Sequence, residues 1–228
     1  MRRFLFLIGV FCFLTGCAQL MPTPPMNPGS IRFVPIGDSY TIGQGVDPKE
    51  IWPVVLTDRL REAGLDIELI ENPARTGWTT NDAIKKELPV FEAAAPTFST
   101  LLIGVNDWVQ GVDAETFRER LSLLLDQMQA VLPPNRLIVI TIPDFSVTPV
   151  GSSFGEPSDN ADGIRSFNAI IRKEADKRTL PIVDIFALSQ AMGIDSSLVA
   201  EDGLHPSEKE HGLWLELITP VALQLLQS

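Results

Sequence analysis

Cysteine is nearly absent from this chain of 228 residues, which contains only Cys12 and Cys17, both close to the amino terminus. The rest of the chain therefore has no thiol for a disulfide framework, a cysteine-based zinc site or a thiol nucleophile. Histidine is almost as scarce, with His205 and His211 only. Any chemistry that needs an imidazole base must use one of these two side chains.

Clustered positive charge is also lacking. The formal net charge is −11, and Lys and Arg form no dense group beyond Arg2 and Arg3 at the start of the chain. Binding to nucleic acid requires such a group because the phosphates must be neutralised, so we expect no nucleic-acid partner. A composition of 45% hydrophobic and 21% charged residues, at this length, is typical of one globular α/β domain.

The amino-terminal apolar run, Phe4–Leu14, is too short for an ordinary transmembrane helix. It follows the positive Arg2-Arg3 pair, as the core of a signal peptide does. It then leads into Leu14–Cys17, which resembles the bacterial lipobox. We therefore predict a lipoprotein signal peptide at residues 1–16 and a lipidated Cys17. The alternative is an ordinary signal peptide cleaved nearby, with Cys17 incidental.

Prolines dominate the segment that follows, because Pro22, Pro24, Pro25 and Pro28 all fall within it. The pattern predicts a stiff, extended tether over residues 17–30, which would hold a domain at residues 31–228 away from a membrane surface. The residue after Cys17 is alanine and not the aspartate that commonly retains lipoproteins at the inner membrane. We therefore expect a lipid-anchored protein of the bacterial cell envelope, at the outer membrane on its periplasmic face.

From residue 31 onward, β-like and helix-like segments alternate, which predicts an α/β fold with a five-stranded parallel sheet and crossover helices. The expected strands are 31–36, 66–71, 98–103, 137–142 and 181–184. The expected helices are 51–63, 79–88, 113–132 and 163–178, and short helical turns are expected over 185–201. A terminal helix should begin with a capping box at Ser207–Glu210. Pro220 is expected to kink or break this helix. Residues 143–162 are expected to form a polar loop along one wall of a substrate cleft.

Polar features follow several of these segments, at the edge of the sheet where ligands bind in open α/β folds. They come from distant parts of the sequence, but the carboxyl ends of parallel strands meet at one edge, so we expect them to converge. These features are Gly37–Ser39, Asn72–Gly77, Gly104–Asp107 and Asp202–His205.

The residue types at this edge match the parts needed for acyl transfer. Ser39 could act as a nucleophile if His205 took its proton and Asp202 oriented the imidazole. Gly77 could present a backbone N–H, and Asn106 its side-chain amide, to the oxyanion of a tetrahedral intermediate. Taken singly, Ser39, Gly77 and Asn106 are better explained as turn or cap residues, and His205 is explained equally well as a loop residue that packs on the start of the helix. His211 lies inside the terminal helix and is predicted to be a structural or surface residue.

Four segments, in order, resemble the sequence blocks of one known family. They are Ile36–Tyr40, Asn72–Thr80, Gly104–Asp107 and Asp202–Pro206. The resemblance is to the SGNH hydrolase (GDSL esterase/lipase) superfamily, and it covers the whole domain. Tyr40 stands where the family name has Leu, and one further block has no clear counterpart.

The resemblance implies a three-layer α/β/α flavodoxin-like fold and a serine ester hydrolase that needs no metal or organic cofactor. It implies Ser39 as nucleophile, His205 and Asp202 as its partners, and an oxyanion hole formed by Ser39, Gly77 and Asn106. Because no long apolar lid is visible, we expect short-chain acyl or acetyl esters as substrates. Trp78 and Phe145 are candidate acyl contacts, although either could be a core residue.

Other functions remain open at this stage. A lysophospholipase or thioesterase of the same superfamily would act on lipid esters within reach of the tether, and a glycan ester is a further possible substrate. The rival from another class is a non-catalytic envelope lipoprotein that binds a glycan or a partner. The sequence makes no prediction of oligomeric state.

A second serine motif competes for the role of nucleophile. Gly151–Gly155 matches the G-x-S-x-G elbow of α/β-hydrolases and would make Ser153 the nucleophile. That elbow needs a sharp strand-to-helix turn, whereas the preceding strand is expected to end well before it, and Glu156-Pro157 follows. The segment Asp159–Gly163 faintly resembles a calcium loop but lacks its alternating ligands, so a turn and helix cap is favoured.

Overall fold

The structure is a computed structural model that describes residues 29–227. The predicted signal peptide, the predicted lipidation at Cys17 and nearly all of the predicted tether lie outside these residues. In the described part of the chain, none of the helices combines the length and the apolar character that crossing a bilayer requires.

The strands are all parallel and form the centre of the domain. They are β1 (Ile31–Phe33), β2 (Ile36–Gly37), β3 (Ile67–Leu69), β4 (Ser99–Leu102), β5 (Leu137–Ile140) and β6 (Ile182–Val183). β1 pairs with β3, and β2, β4, β5 and β6 lie side by side in that order. Every residue of β4 and β5 is buried, as expected for parallel strands covered on both faces.

The first predicted strand is divided in two by Val34 and Pro35. Proline has no backbone N–H and cannot donate to the ladder, so the strand pairing is interrupted there. The sheet nevertheless continues across the break, because Phe33 bridges Phe98 and the Val34 N–H donates to the Phe98 carbonyl at 3.2 Å. Across the sheet the order is therefore β3, β1 with β2, β4, β5 and β6, which is the flavodoxin-like order.

Helices flank the sheet on its two faces. They are α1 (Ser39–Ile42), α2 (Trp52–Glu62), α3 (Thr80–Asp82), α4 (Leu88–Ala94), α5 (Val105–Val109), α6 (Ala114–Val131), α7 (Pro157–Asp176), α8 (Phe186–Ser189) and α9 (Glu208–Leu226), with a π-helical segment at Ala83–Glu87 between α3 and α4. α2 packs against α9, and α6 packs against α4 and α7. The predicted three-layer α/β/α flavodoxin-like fold is confirmed, with six strand segments among residues 29–227 in place of the five predicted.

The predicted apolar stripe on the longest central helix is confirmed in α6. Phe117, Leu121 and Met128 are among its buried side chains. Phe117 stacks on Phe167 of α7 with ring centroids 4.2 Å apart, and Trp108 meets the same Phe167 ring edge-on at 5.7 Å. These aromatic contacts bind α5, α6 and α7 into one layer beside the carboxyl edge of the sheet.

The predicted start of α7 near Gly163 is wrong. The helix begins at Pro157, whose fixed φ suits the first helical position, so the predicted loop 143–162 is shortened to two 3₁₀ turns at Phe145–Val147 and Gly151–Phe154. Gly163 serves packing instead, because a Cβ there would lie 2.1 Å from the Trp108 ring.

Two other helices are longer than the sequence pattern indicates. The predicted helix 79–88 continues through the π-helical segment into α4 and ends at Ala94. α9 runs through Pro220 and ends at Leu226, so the predicted break does not occur. The buried face of α9, which includes Trp214 and Ile218 before the proline and Ala222 after it, continues across Pro220.

Two helical glycines provide a matched test of this packing. Gly163→Ala places a methyl group against Trp108 and should lower the free energy of unfolding by about 1–3 kcal/mol. Gly212→Ala, in α9, meets nothing within 4 Å, and alanine is the better helix former by about 0.5–1 kcal/mol. Urea denaturation of both variants should therefore give shifts of opposite sign. Equal effects would contradict the close approach of α5 to α7.

Candidate active site

Ser39 begins α1 directly after β2, at the carboxyl edge of the sheet. Asp38 caps this short helix, its Oδ1 accepting a hydrogen bond from the Tyr40 N–H at 3.0 Å. Gly37 is required by close packing, since a Cβ there would lie 2.1 Å from Thr41 Oγ1 and 2.5 Å from the Leu102 carbonyl oxygen. The turn therefore holds the Ser39 hydroxyl in a fixed place at the end of a central strand.

Asp202 and His205 form a contact within one loop just before α9. The Asp202 Oδ2 lies 2.6 Å from His205 Nδ1. The other oxygen, Oδ1, accepts the backbone N–H groups of Leu204 and His205 at 2.9 Å each. Burial works to raise the pKa of Asp202, but these N–H groups and the imidazole hold it below its usual value. An ionised Asp202 that binds Nδ1–H leaves His205 Nε2 free to accept a proton.

Ser39, His205 and Asn106 meet at a small cavity of about 60 Å³. Its remaining lining is largely apolar and comes from Tyr40, Val105, Val109, Phe145, Phe154 and Leu204. Both Ser39 and His205 are nearly buried, at 5% and 6% exposure. The Tyr40 ring meets the His205 ring edge-on, with centroids 5.9 Å apart, and so supports the imidazole from the side.

Asn106 is linked to the loop that carries Gly77. Its Nδ2 donates to the Trp78 carbonyl at 2.9 Å, and Gln110 Nε2 donates to the Gly77 carbonyl at 3.3 Å. The Asn106 amide has a second N–H, which this bond does not use. Gly77 has φ +80°, a conformation that favours glycine. Gly77 itself does not line the cavity, although its loop is bonded to a residue that does.

Asp107 connects the same two segments below the surface. It is fully buried and accepts from the Thr80 backbone N–H at 2.8 Å and from the Thr80 hydroxyl at 2.5 Å. Burial raises the pKa of Asp107, and Arg120, 4.0 Å away, opposes this. The sequence motif includes Asp107 but gives no sign of this contact, because its partner lies 27 positions earlier.

The two candidate acyl contacts have different surroundings. Phe145 is 2% exposed, lines the cavity and meets Phe154 edge-on at 5.7 Å. Trp78 is half-buried outside the cavity lining, and Lys86 Nζ lies 5.1 Å from its ring centroid. Phe154, which no sequence motif singles out, also lines the cavity and is 43% exposed at its rim.

The alternative serine, Ser153, and the second histidine, His211, are not among the residues that line this cavity. Ser153 is exposed on a 3₁₀ turn and follows no strand. His211 is 1% exposed and packs on Trp214 at 5.2 Å, and burial lowers its pKa to about 4. Within residues 29–227 no group of three or more His, Cys, Asp or Glu side chains is arranged to hold a metal ion.

Comparison with known proteins identifies the family of this chain. The sequence profile of the GDSL-like Lipase/Acylhydrolase family matches residues 36–213. Esterase TesA of Pseudomonas aeruginosa is 21% identical over 213 residues, which covers 93% of this chain and 98% of TesA. An arylesterase of Vibrio mimicus is 26% identical over 145 residues, covering 59% of this chain and 67% of that protein.

A solved structure shows the same fold. A crystal structure of TesA has a TM-score of 0.69 and 21% sequence identity, and the match covers 86% of this chain and 99% of TesA. The profile match spans β2 to the first turns of α9 and includes every candidate site residue from Ser39 to His205. This chain belongs to the GDSL-like lipase/acylhydrolase family and is a carboxylic ester hydrolase.

Proposed function

We propose that the protein cleaves short-chain carboxylic esters through a Ser39–His205–Asp202 triad. Ser39 Oγ attacks the ester carbonyl carbon while His205 Nε2 takes its proton, and the same imidazole then protonates the departing alcohol. Water attacks the acyl-enzyme, with His205 again acting as base, and releases the acid. The observation that carries the proposal is the placement of Ser39 and His205 at one cavity, with Asp202 2.6 Å behind the imidazole.

The oxyanion of each tetrahedral intermediate needs donors that are already in place. We assign this role to the backbone N–H groups of Ser39 and Gly77 and to the free N–H of the Asn106 side chain. The Asn106–Trp78 hydrogen bond supports the assignment, because it fixes the amide beside the loop that presents Gly77. The fully buried Asp107 one residue later adds rigidity to the same arrangement.

The size and polarity of the cavity favour small acyl groups. A volume of about 60 Å³, lined by Val105, Phe145 and Leu204 among others, suits an acetyl or similarly short chain. Longer acyl chains are the second candidate, because Val109 and Phe154 are 41% and 43% exposed at the rim and offer an apolar path outward. Lysophospholipase or thioesterase activity would use that path.

Hydrolysis of p-nitrophenyl esters tests both the nucleophile and the chain length. We expect kcat/KM to be highest for acetate or butyrate and to fall with longer chains. Ser39→Ala should lose about 10³-fold or more in kcat, since little beyond oxyanion stabilisation and binding remains. Ser153→Ala, the matched control, should behave as wild type.

Three outcomes would contradict all or part of this scheme. Equal, slow hydrolysis by the wild type and Ser39→Ala would favour a non-catalytic binding protein. A loss of activity in Ser153→Ala with Ser39→Ala unaffected would move the nucleophile to the 3₁₀ turn. A maximum at long acyl chains would leave the triad intact but replace the short-chain substrate by a lipid ester.

We further propose that the mature protein is tethered to the bacterial envelope by lipid on Cys17, on the periplasmic face of the outer membrane. The proposal is supported by the order of a positive pair, an apolar run and Leu14–Cys17, followed by a proline-rich segment. The tether would keep the catalytic edge near lipid or glycan esters of the envelope.

Cys17→Ser should release the protein from the membrane fraction while leaving p-nitrophenyl acetate hydrolysis unchanged. The reason is that anchoring depends on buried acyl chains, whereas the domain that carries Ser39 is separate from the leader. Partitioning in Triton X-114 measures the change, with Cys12→Ser as the matched control. If Cys17→Ser stays in the detergent phase like wild type, the anchor is not at Cys17.

A further inference from the structure

Glu87 lies directly behind the turn that carries Ser39. It is the last residue of the π-helical segment Ala83–Glu87, and its side chain is fully buried. Its Oε2 accepts the backbone N–H of Gly37 at 3.0 Å. Irregular π turns are frequent at functional sites, and here the π turn ends on a carboxyl group bonded two residues before the candidate nucleophile.

Asp38 is a second buried carboxyl at the same place. Burial raises the pKa of both Asp38 and Glu87 to about 8, and the nearby Asp38 carboxyl further opposes ionisation of Glu87. One oxygen of each carboxyl group accepts a backbone hydrogen bond. Glu87 accepts from the Gly37 N–H, and Asp38 accepts from the Tyr40 N–H. The other oxygens, Asp38 Oδ2 and Glu87 Oε1, are buried and have no partner among the described residues.

Other charges around the pair do not neutralise it. Arg75, on the loop after β3, favours ionisation of Glu87, whereas Asp82 on the same helical run opposes it. Asp107 opposes ionisation of Asp38. Arg75 is exposed and bonds backbone carbonyls of its own loop, so its charge is shared with solvent. Two buried carboxyls with one remote cation cannot both be ionised at low cost.

We propose that Glu87 is a positioning residue for ester hydrolysis, which accepts the Gly37 N–H and, kept neutral by its burial beside Asp38, fixes the Gly37–Ser39 turn in its reactive geometry. The inference rests on the proposed role of Ser39. A neutral Glu87 keeps this hydrogen bond without placing a second buried charge beside Asp38. The pair then holds the turn from both ends, through the N–H groups of Gly37 and Tyr40.

Ionisation of Glu87 and Asp38 should loosen this arrangement. With both groups ionised, repulsion acts across the turn that carries Ser39, and the buried charges have no compensating donor. The raised pKa values of Asp38 and Glu87 change the free energy of unfolding with pH in the same direction. Their unfolded pKa values lie near 4, so the stabilisation is complete in acid and is lost as pH rises toward about 8. Activity should fall as the pH rises past about 8, where these carboxyl groups ionise in the folded protein.

The Glu87→Gln variant keeps the hydrogen-bond acceptor for Gly37 but removes the ionisable carboxyl group. Its carbonyl oxygen can still accept the Gly37 N–H, and its amide stays neutral at every pH. We expect kcat/KM for p-nitrophenyl acetate within about threefold of wild type at pH 7. Above about pH 8, wild-type kcat/KM should fall up to about tenfold per pH unit, while the variant should retain its activity. Glu87→Leu, which cannot accept the Gly37 N–H, should lower kcat on the order of tenfold with little change in KM.

Glu210→Gln is the matched control. Glu210 is also fully buried and has a free oxygen, and burial raises its pKa to about 7, but it bonds Trp214 on α9 and does not touch the Ser39 turn. Its pH–rate profile should follow wild type. All assays use the full-length protein in detergent, with the Ser39→Ala rate subtracted at each pH.

The proposal would be overturned if the fall in kcat/KM at alkaline pH were the same for Glu87→Gln as for wild type. It would also be overturned if Glu210→Gln changed the pH–rate profile as much as Glu87→Gln does. If Glu87→Leu does not fold, the Glu87→Gln profile still decides the question. Failure of the proposed mechanism is distinguishable, because it would appear as full activity in Ser39→Ala whatever the behaviour of Glu87.

Discussion

The packing of β2 against β4 leaves no room for a side chain at Gly37, and much of the carboxyl edge depends on this close approach. Because Gly37 fits against Thr41 and the Leu102 carbonyl, the chain turns within one residue of the strand end. Asp38 then caps α1, and Ser39 stands at the first helical position. The hydroxyl is placed by backbone geometry, with few degrees of freedom left to lose when substrate binds.

The other parts of the site reach this turn through hydrogen bonds between distant segments. Asp107 holds Thr80, and Asn106 holds the Trp78 carbonyl, so the loops after β3 and β4 behave as one unit. Asp202 and His205 come from a third segment and are tied to each other within their own loop. Tyr40, one residue after Ser39, packs edge-on against the His205 ring and so connects that loop to the Ser39 turn. Among the described residues, Ser39 and His205 take part in no ion pair other than the local contact of His205 with Asp202.

The sequence predicts those features that depend on local pattern. The apolar run at β5 and the stripe on α6 identify their elements because burial there follows the periodicity of strand and helix. The placement of Ser39, His205 and Asn106 at one cavity agrees with the topological rule for parallel strands. The start of α7 was missed because Gly163 looks like a helix boundary, whereas its function is to admit the Trp108 ring.

Features that depend on tertiary contacts gave no sequence signal. Glu87 lies in a run of charged residues that is typical of a solvent-exposed helical surface. Its burial follows from the π turn, which rotates it toward Gly37, and no periodicity marks that turn. Phe154 likewise has no sequence signal, because a single phenylalanine in a polar loop does not indicate a binding site until the cavity beside it is known. The sequence therefore predicts the candidate catalytic residues more readily than the buried residues, such as Glu87, that support them.

The most direct test of this account is to identify the residue that a fluorophosphonate modifies. The reagent phosphonylates an activated serine and requires both the base and the oxyanion donors to be in place. Intact-mass and peptide mass spectrometry should show a single adduct, located on the peptide that contains Ser39. An adduct on Ser153, or ester hydrolysis that persists without any adduct on Ser39, would contradict the central claim that this turn presents the nucleophile.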